Sequence, residues 1–491
     1  MLDTGMRILL ISSEVAPFAK TGGLADVAGS LPKALSLQGN DVRVMMPRYK
    51  SISDYSTVLD FPVPMGNRKE TCIVRESRIE AKNAHGTKEV PVYFLDNYQY
   101  FDRERLYAFH DEGERFTFFQ LAALRAAERL GFVPDVVHCN DWQTGFIPLL
   151  VRLRVQSDVR WNSVATCFTI HNLRYQGRFP KDILGLLGVG QEYFHPEGFE
   201  FYGDVNFMKA GIVYADVVNT VSETYSREIQ TPEFGEGLDG VMRKRGKDLY
   251  GIVNGINYHE FNPETDPRIT ATFSSRNIER KSDNKYALQR ELGLPVSDVP
   301  LVGVVARLVD QKGLDILLQA TPRILGEKCQ LVLLGTGDKH YEDAFANLAK
   351  KCADQVRAVI GFNGVLAQKI YAASDLFLMP SRFEPCGLGQ LIAMRYGSIP
   401  VVRRTGGLAD TVMDFDAGTG SGNGFVFSEY TAHALSDAVI RAIRTYRDQD
   451  KWRNLVIHAM ERDFSWNRQA ALYTELYMEA LSRKGRIERP A

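Results

Sequence analysis

The sequence predicts an α/β protein made of two doubly wound, Rossmann-like domains facing across a cleft. Three observations lead there. Short apolar runs alternate with helical stretches from Arg7 onward, the alternation breaks in a polar, Pro-containing passage between about Gly255 and Pro300, and a second series of the same kind starts at Leu301. Apolar runs of this kind, bounded by turn residues, suit strands of a parallel sheet covered on both faces.

In the first series Arg7 to Ser12 reads as a buried strand, Leu31 to Leu37 as part of the helix after it and Val42 to Pro47 as the second strand, so the chain opens βαβ. Val90 to Leu95, Val136 to Cys139, Ala165 to Ile170 and Val217 to Thr220 supply further strands, and Phe116 to Leu130 and Thr144 to Arg154 supply helices. The Asn254-Gly255 turn after Leu249 marks a junction. The second series runs through Leu301 to Val305, Gln330 to Leu334, Val356 to Gly361, Leu376 to Met379 and Ile399 to Val402. In the tail, Ala470, Tyr473, Leu476, Tyr477 and Leu481 recur at helical spacing, which predicts a packed helix. The expected divisions are 1–253, 254–463 and the tail 464–491.

The chain has 491 residues, 59 Lys and Arg against 60 Asp and Glu, and a net charge of -1. That balance offers no general field for nucleic acid or an anionic membrane, so an anion must be held locally. The six cysteines show no metal-ligand spacing, which favours reduced thiols. Ile8 to Ile11 is too short for a signal peptide, and no run approaches the ~18 apolar residues of a membrane span. The expectation is a soluble, cytoplasmic protein.

Candidate chemistry collects where strands end, the usual ligand side of such sheets. Glu384-Pro385-Cys386-Gly387-Leu388 follows the strand ending at Met379 and precedes a helix start, where free N–H groups and roughly half a positive charge of helix dipole favour an anion. Gly387 and Gly389 would let a phosphate approach the main chain, and Glu384 beside it suits sugar hydroxyls or a developing positive charge; a surface turn with a solvated Glu is the alternative. Arg307 and Lys312 come just after the strand Leu301 to Val305 and could neutralise a diphosphate leaving group, or form a solvated basic turn. Lys20 precedes the Gly22-Gly23 turn and is either a phosphate-binding cation or a solvated lysine. His138 to Trp142 and His171-Asn172 each end a strand and point toward the expected cleft, with Asp141 open to a helix N-cap role and His171 to a structural one. Thr21-Gly22-Gly23-Leu24-Ala25-Asp26 recurs as Thr405-Gly406-Gly407-Leu408-Ala409-Asp410, a shared ligand turn or a shared strand-to-helix turn without ligand.

Together these residues resemble the bacterial glycogen synthase and plant starch synthase family, retaining glucosyltransferases that use ADP-glucose and have the GT-B fold. The likeness spans nearly the whole chain. Lys20 to Val27 resembles that family's nucleotide-sugar signature, Arg307 and Lys312 its phosphate-neutralising pair, and Glu384 to Leu388 its donor loop. The resemblance implies that Lys20 and Gly23 contact the ADP-glucose diphosphate, Asp26 positions the site, His171 and Asn172 hold the glucosyl unit, Asp141 lies near the reacting sugar, and Glu384 takes its hydroxyls. Cys386, Gly387 and Leu388 would bind donor, Asn254 would line the same site, and Phe362 would stack on adenine. The tail from Phe464 resembles the segment that crosses back to the first domain. An α-1,4-glucan acceptor, no metal and no other cofactor are implied.

Three departures stand out: Asn140 replaces a frequent His, Gly389 a common Thr, and Asn257 a usual Asp. Ile392 stands where a neighbouring transferase family carries a second Glu. The other readings are a nucleotide-sugar transferase with a small acceptor, a glucan phosphorylase, and a non-catalytic glucan binder using Trp142, Tyr175 and Phe179 as platforms.

Overall fold

A computed structural model of the chain describes residues 5–83 and 86–485. Asp3 and the end of the tail, 486–491, lie outside the described residues. The chain divides into two compact units, Met1–Gly255 with Trp466–Ala491, and Ile256–Ser465.

The first unit holds β1 (Arg7–Ile11), β2 (Asp41–Pro47), β3 (Ser56–Met65), β4 (Arg68–Asn83), β5 (Gly86–Asp96), β6 (Val136–Asn140), β7 (Ala165–Ile170), β8 (Arg178–Phe179), β9 (Glu200–Phe201), β10 (Asp204–Asn206), β11 (Val217–Thr220) and β12 (Leu249–Gly251). Nine of them form one sheet in the order β12-β11-β7-β6-β1-β2-β5-β4-β3, and β8-β10-β9 form a small second sheet. From β12 to β5 every pairing is parallel. The buried strands β6 and β7 have no exposed position, as strands covered on both faces require. After β1 the chain builds outward through β2 and β5, then returns to place β6 on the other side of β1. That reversal is a topological switch point, and it opens at the carboxyl ends of β1 and β6.

The sheet is not wholly parallel. β3 and β4 form an antiparallel hairpin on its far edge, paired to β5. Sequence reading passed over it because β3 is mostly exposed and carries Pro62 and Pro64, which an edge strand tolerates because its outer side needs no N–H donor.

The second unit has β13 (Leu301–Val305), β14 (Gln330–Gly335), β15 (Val356–Ile360), β16 (Leu376–Met379), β17 (Ile399–Arg403) and β18 (Phe425–Phe427), all parallel, in the order β15-β14-β13-β16-β17-β18. Its switch point lies between β13 and β16. Arg307 and Lys312 follow the first of these strands and Glu384 follows the second.

The tail helix, Trp466–Arg483, packs into the first unit, burying Ala470, Tyr473, Leu476, Tyr477 and Leu481. Its start runs beside Gly255, where a Cβ would come within 2.9 Å of the Trp466 nitrogen.

Candidate active site

In the first unit the chain leaves β1 into a tight lobe, with Val15 bridged to Ala19, and then enters the helix Gly23–Leu37. Lys20 is exposed and its ammonium lies 2.6 Å from Asp26 in the first turn of that helix. Burial pushes the Asp26 carboxyl up, and Lys20 partly offsets it. A Cβ built on Gly22 would meet nothing within 4 Å, so packing does not require glycine there; the bare backbone is open to an approaching group.

Across the switch point, Asp141 occupies the left-handed region at φ 56, a strained conformation for a residue with a side chain. It heads the short turn Trp142–Thr144 without capping it. Its carboxylate instead accepts the backbone N–H of His171 at 2.7 Å. Burial pushes Asp141 up to about 7, partly offset by the N–H groups of His171 and Asn172 and reinforced by the charge of Glu14. Asn172 accepts the Arg174 N–H and closes its own turn.

The amide of Asn140 donates to Ile11 O at 3.1 Å, leaving its oxygen 2.9 Å from His171 Nε2. Burial holds His171 down to about 3, so the ring is neutral and the proton sits on Nε2. Asn140, an apparent departure in the sequence, therefore fixes the tautomer and aim of His171.

His138 does not face the ligand side. It is fully buried between Thr169 Oγ1 at 2.6 Å and the hydroxyl of Tyr477, from the tail helix, at 2.8 Å. Strand alternation turns it to the opposite face from Cys139, and the tail helix covers that face.

In the second unit Lys312 Nζ donates to Glu384 Oε2 at 2.6 Å, and Ser381 Oγ donates to the same oxygen at 2.9 Å. The loops carrying them are locked together. Gly313, at φ +69, would put a Cβ within 2.0 Å of Pro380 O, and Arg382 N donates to Gln311 O. Arg307 is exposed and makes no side-chain hydrogen bond or ion pair among the described residues. Phe362, at the end of β15, is 94% exposed. Asn254, in the first unit, is 3% exposed and its Oδ1 has no hydrogen-bond partner among the described residues.

The donor loop departs from expectation in one detail. Gly387, at φ +76, has the backbone freedom proposed for it, but the missing side chain of Gly389 faces Met379, Phe377 and Tyr371, so packing explains that glycine rather than phosphate approach. Cys386 is buried, and Leu388 precedes the seven-residue helix Gly389–Arg395.

The repeated Gly-Gly turn has two uses. A Cβ on Gly406 would meet Glu384 O at 1.9 Å and one on Gly407 would meet Cys386 O at 2.1 Å. The second copy is the bed on which the donor loop lies, while Gly22 in the first copy is open. Sequence reading missed Ser381 and Glu14; the latter, buried two residues past a predicted strand, carried only its position as a signal.

A second feature of the first unit is an open cavity of about 510 Å³ lined by Trp142, Tyr175, Phe179 and Phe201 together with Gln176, Glu236 and other polar groups. Gly177 admits the Trp142 ring beneath it, where a Cβ would approach within 2.3 Å.

Two Rossmann-like units, each with charged side chains at its switch point, define a GT-B glycosyltransferase. Residues 7–244 match the starch synthase catalytic domain, and residues 288–456 match the glycosyl transferases group 1 family. A glycogen synthase of Desulforudis audaxviator is 56% identical over 490 residues, covering 98% of each chain, and one of Moorella thermoacetica is 50% identical over 484 residues, also covering 98% of each. The catalytic domain of starch synthase IV from Arabidopsis thaliana, solved bound to ADP and acarbose, superimposes with a TM-score of 0.91 at 36% identity, covering 98% of this chain and 100% of that one. The chain belongs to the glycogen synthase family.

Among the described residues no helix is long and apolar enough to cross a membrane, and no group of three or more His, Cys, Asp and Glu side chains is gathered as a metal site needs.

Proposed function

We propose that this glycosyltransferase moves an α-glucosyl unit from ADP-glucose to the nonreducing 4-OH of an α-1,4-glucan with retention, in cytoplasmic glycogen synthesis. The observation that carries the reading is the pair at the second switch point, half-buried Lys312 on the buried carboxylate of Glu384, with exposed Arg307 earlier in the same loop after β13. A cation already held by a carboxylate can turn to a diphosphate when one arrives, leaving Glu384 to accept sugar hydroxyls. Phe362 offers an uncovered ring for the adenine, and Asn254 an unpaired oxygen for the donor. Lys20 and Gly23 are the diphosphate contacts of the first unit, with Asp26 orienting the lysine.

In the reaction the bond between glucose C1 and the phosphate oxygen breaks and the phosphate keeps its electron pair. Arg307 and Lys312 absorb that growing charge, each worth about 3 kcal/mol in a water-poor site. The acceptor oxygen attacks C1 from the same face and its proton passes to the leaving phosphate, giving ADP and a longer glucan. His171, Asn172 and Asp141 hold the glucosyl unit, and Cys386 to Leu388 cradle the donor. Positive side chains meet the diphosphate charge, so the mechanism calls for no metal or other cofactor. The aromatic cavity around Trp142 and Tyr175 suits the glucan, since pyranose rings present apolar faces to rings and hydroxyls to polar groups. Six cysteines held as thiols rather than disulfides suit a reducing compartment.

The test is incubation with glycogen and labelled ADP-glucose, with UDP-glucose in parallel. Label should enter the polymer from ADP-glucose and be released by an exo-hydrolase specific for α-1,4 links. Label remaining in small molecules, or entering only from UDP-glucose, overturns the reading.

A further inference from the structure

Glu14 is 4% exposed and has no cation within ion-pair distance among the described residues. Its charge is instead met by neutral donors. Thr21 donates twice, its backbone N–H to Oε2 at 2.5 Å and its hydroxyl to Oε1 at 2.6 Å, and the Tyr107 hydroxyl donates to Oε1 at 2.8 Å. Tyr107 is in turn 2.9 Å from Ser13 Oγ, Tyr49 donates to Ser13 O at 2.8 Å, and Ser12 Oγ donates to Glu14 O at 2.7 Å. A carboxylate buried this way needs every lone pair it can fill, so it holds its donors tightly. The two bonds from Thr21 fall between Lys20 and Gly22.

We infer that Glu14 is a positioning residue for donor binding: by gripping Thr21 at two points it fixes the backbone that aims Lys20 and the open Gly22-Gly23 turn at the sugar nucleotide. This rests on the donor role proposed for that turn. The carboxylate itself touches no substrate. Its side chain is spent on Thr21 and Tyr107, and the lobe behind it is tied back by Ala16 N donating to Ala25 O at 3.0 Å.

The role predicts an unusual pattern of substitutions. Glu14→Gln keeps an oxygen for the Thr21 N–H and an amide that can meet the two hydroxyls, which can turn to accept, so it should keep the clamp. Glu14→Ala removes it, and Thr21→Val removes the hydroxyl half.

The experiment measures ADP-glucose KM, glycogen KM, kcat and thermal midpoint for the parent and these variants. Parent transfer from ADP-glucose is the check on the underlying reading, and its absence condemns that reading without touching the loop geometry. Given parent activity, Glu14→Ala should raise the ADP-glucose KM about tenfold or more, the loss of a bond to a charged group, while glycogen KM holds and Glu14→Gln stays within about threefold. Thr21→Val should fall between them. Equal damage from Gln and Ala would show that the negative charge acts on the reaction directly, and parallel rises in both KM values with a lowered midpoint would reduce Glu14 to a scaffold residue; either result overturns the inference.

Discussion

Lys312 and Glu384 sit on adjacent loops of one parallel sheet and are joined by a 2.6 Å hydrogen bond, with side-chain exposures of 17% and 7%. From sequence the two had separate duties, one for the diphosphate and one for the sugar. Their pairing shows that each also sets the position of the other, so a change at either side disturbs both.

Replacing Lys312 with Ala should therefore lower kcat about 10²- to 10³-fold and also cost about 1–3 kcal/mol of stability, because Glu384 keeps its burial and loses its cation. Glu384→Gln keeps the shape and should cut kcat more than ADP affinity. Steady-state kinetics and urea unfolding check both, and turnover of the Lys312 variant within a few-fold of the parent would sink the charge-neutralising role.

The two Gly-Gly turns make opposite forecasts. Gly407→Ala must push Cys386 O away from a 2.1 Å approach, shifting the donor loop, so activity and thermal midpoint should fall together. Gly22→Ala meets no atom within 4 Å and sits in an extended conformation at φ -156, so the midpoint should hold. Any rise in its ADP-glucose KM then reports a ligand lying against that backbone. An unchanged KM would remove the first turn from the donor site.

Phe362→Ala should leave stability alone, since the ring is 94% exposed and contributes little to the core. Loss of one stacking platform should raise the ADP-glucose KM about fivefold to a hundredfold, by the ~1–3 kcal/mol that a base gains on an aromatic ring. An unaltered KM would deny the ring its adenine.

These contrasts mark how far sequence reading reaches. Strands with no exposed position, such as β6 and β7, were legible because burial on both faces removes the in-out alternation of a half-exposed strand, even where His138, Asn140, Thr166 and Thr169 interrupt the apolar run. The hairpin β3–β4 was not, because a half-exposed edge strand with two prolines resembles a loop. Arg307, Lys312 and Glu384 were legible as charges after strands, but the pairing of Lys312 with Glu384 depends on Gly313 letting one loop touch Pro380 of the next, a contact 67 residues away in the chain. The same holds for Asn140, whose value lies in the ring it faces, and for His138, which shares a strand with the site and yet serves the tail helix.

That helix is held by a chain of buried polar groups whose protons can be assigned. Thr169 donates its one hydrogen to Asn219 Oδ1 at 2.6 Å, so it accepts from His138 Nε2, and His138 Nδ1 must accept from Tyr477. Burial lowers His138 and His171 to about 3 from the usual 6.5. A base depressed by folding gives stability that is complete above its unfolded pKa and is lost as pH falls toward the folded one. Asp141, raised to about 7, works in the opposite sense over the same range and cancels one histidine. Between pH 6.5 and 5 the net loss should be on the order of 1 kcal/mol. Urea unfolding across that window measures it, and stability that is flat or rises on acidification refutes the assignment. Tyr477→Phe should cost a further ~1–3 kcal/mol at neutral pH by leaving Nδ1 without a donor.

Lys281 supplies the sharpest test of what holds the second unit together. Its buried amine donates to Ala372 O at 2.6 Å, Tyr396 O at 2.9 Å and Tyr371 O at 3.4 Å. Tyr371 and Ala372 lie in the last turn of the helix Gly364–Ala373, and Tyr396 caps the helix Gly389–Arg395. An ammonium has three donors, and here three carbonyls from two helix ends receive them, where the helix dipole also favours a cation. Lys281→Met preserves length and apolar stem but strands those oxygens, so it should cost about 2–4 kcal/mol. Because the loss is local, amide exchange should quicken in both helices while the tail helix Trp466–Arg483 keeps its protection. Unchanged exchange in Gly364–Ala373 and Gly389–Arg395 would mean that the carbonyls are satisfied without the lysine, and that the donor loop between them is fixed by the Gly406-Gly407 bed alone.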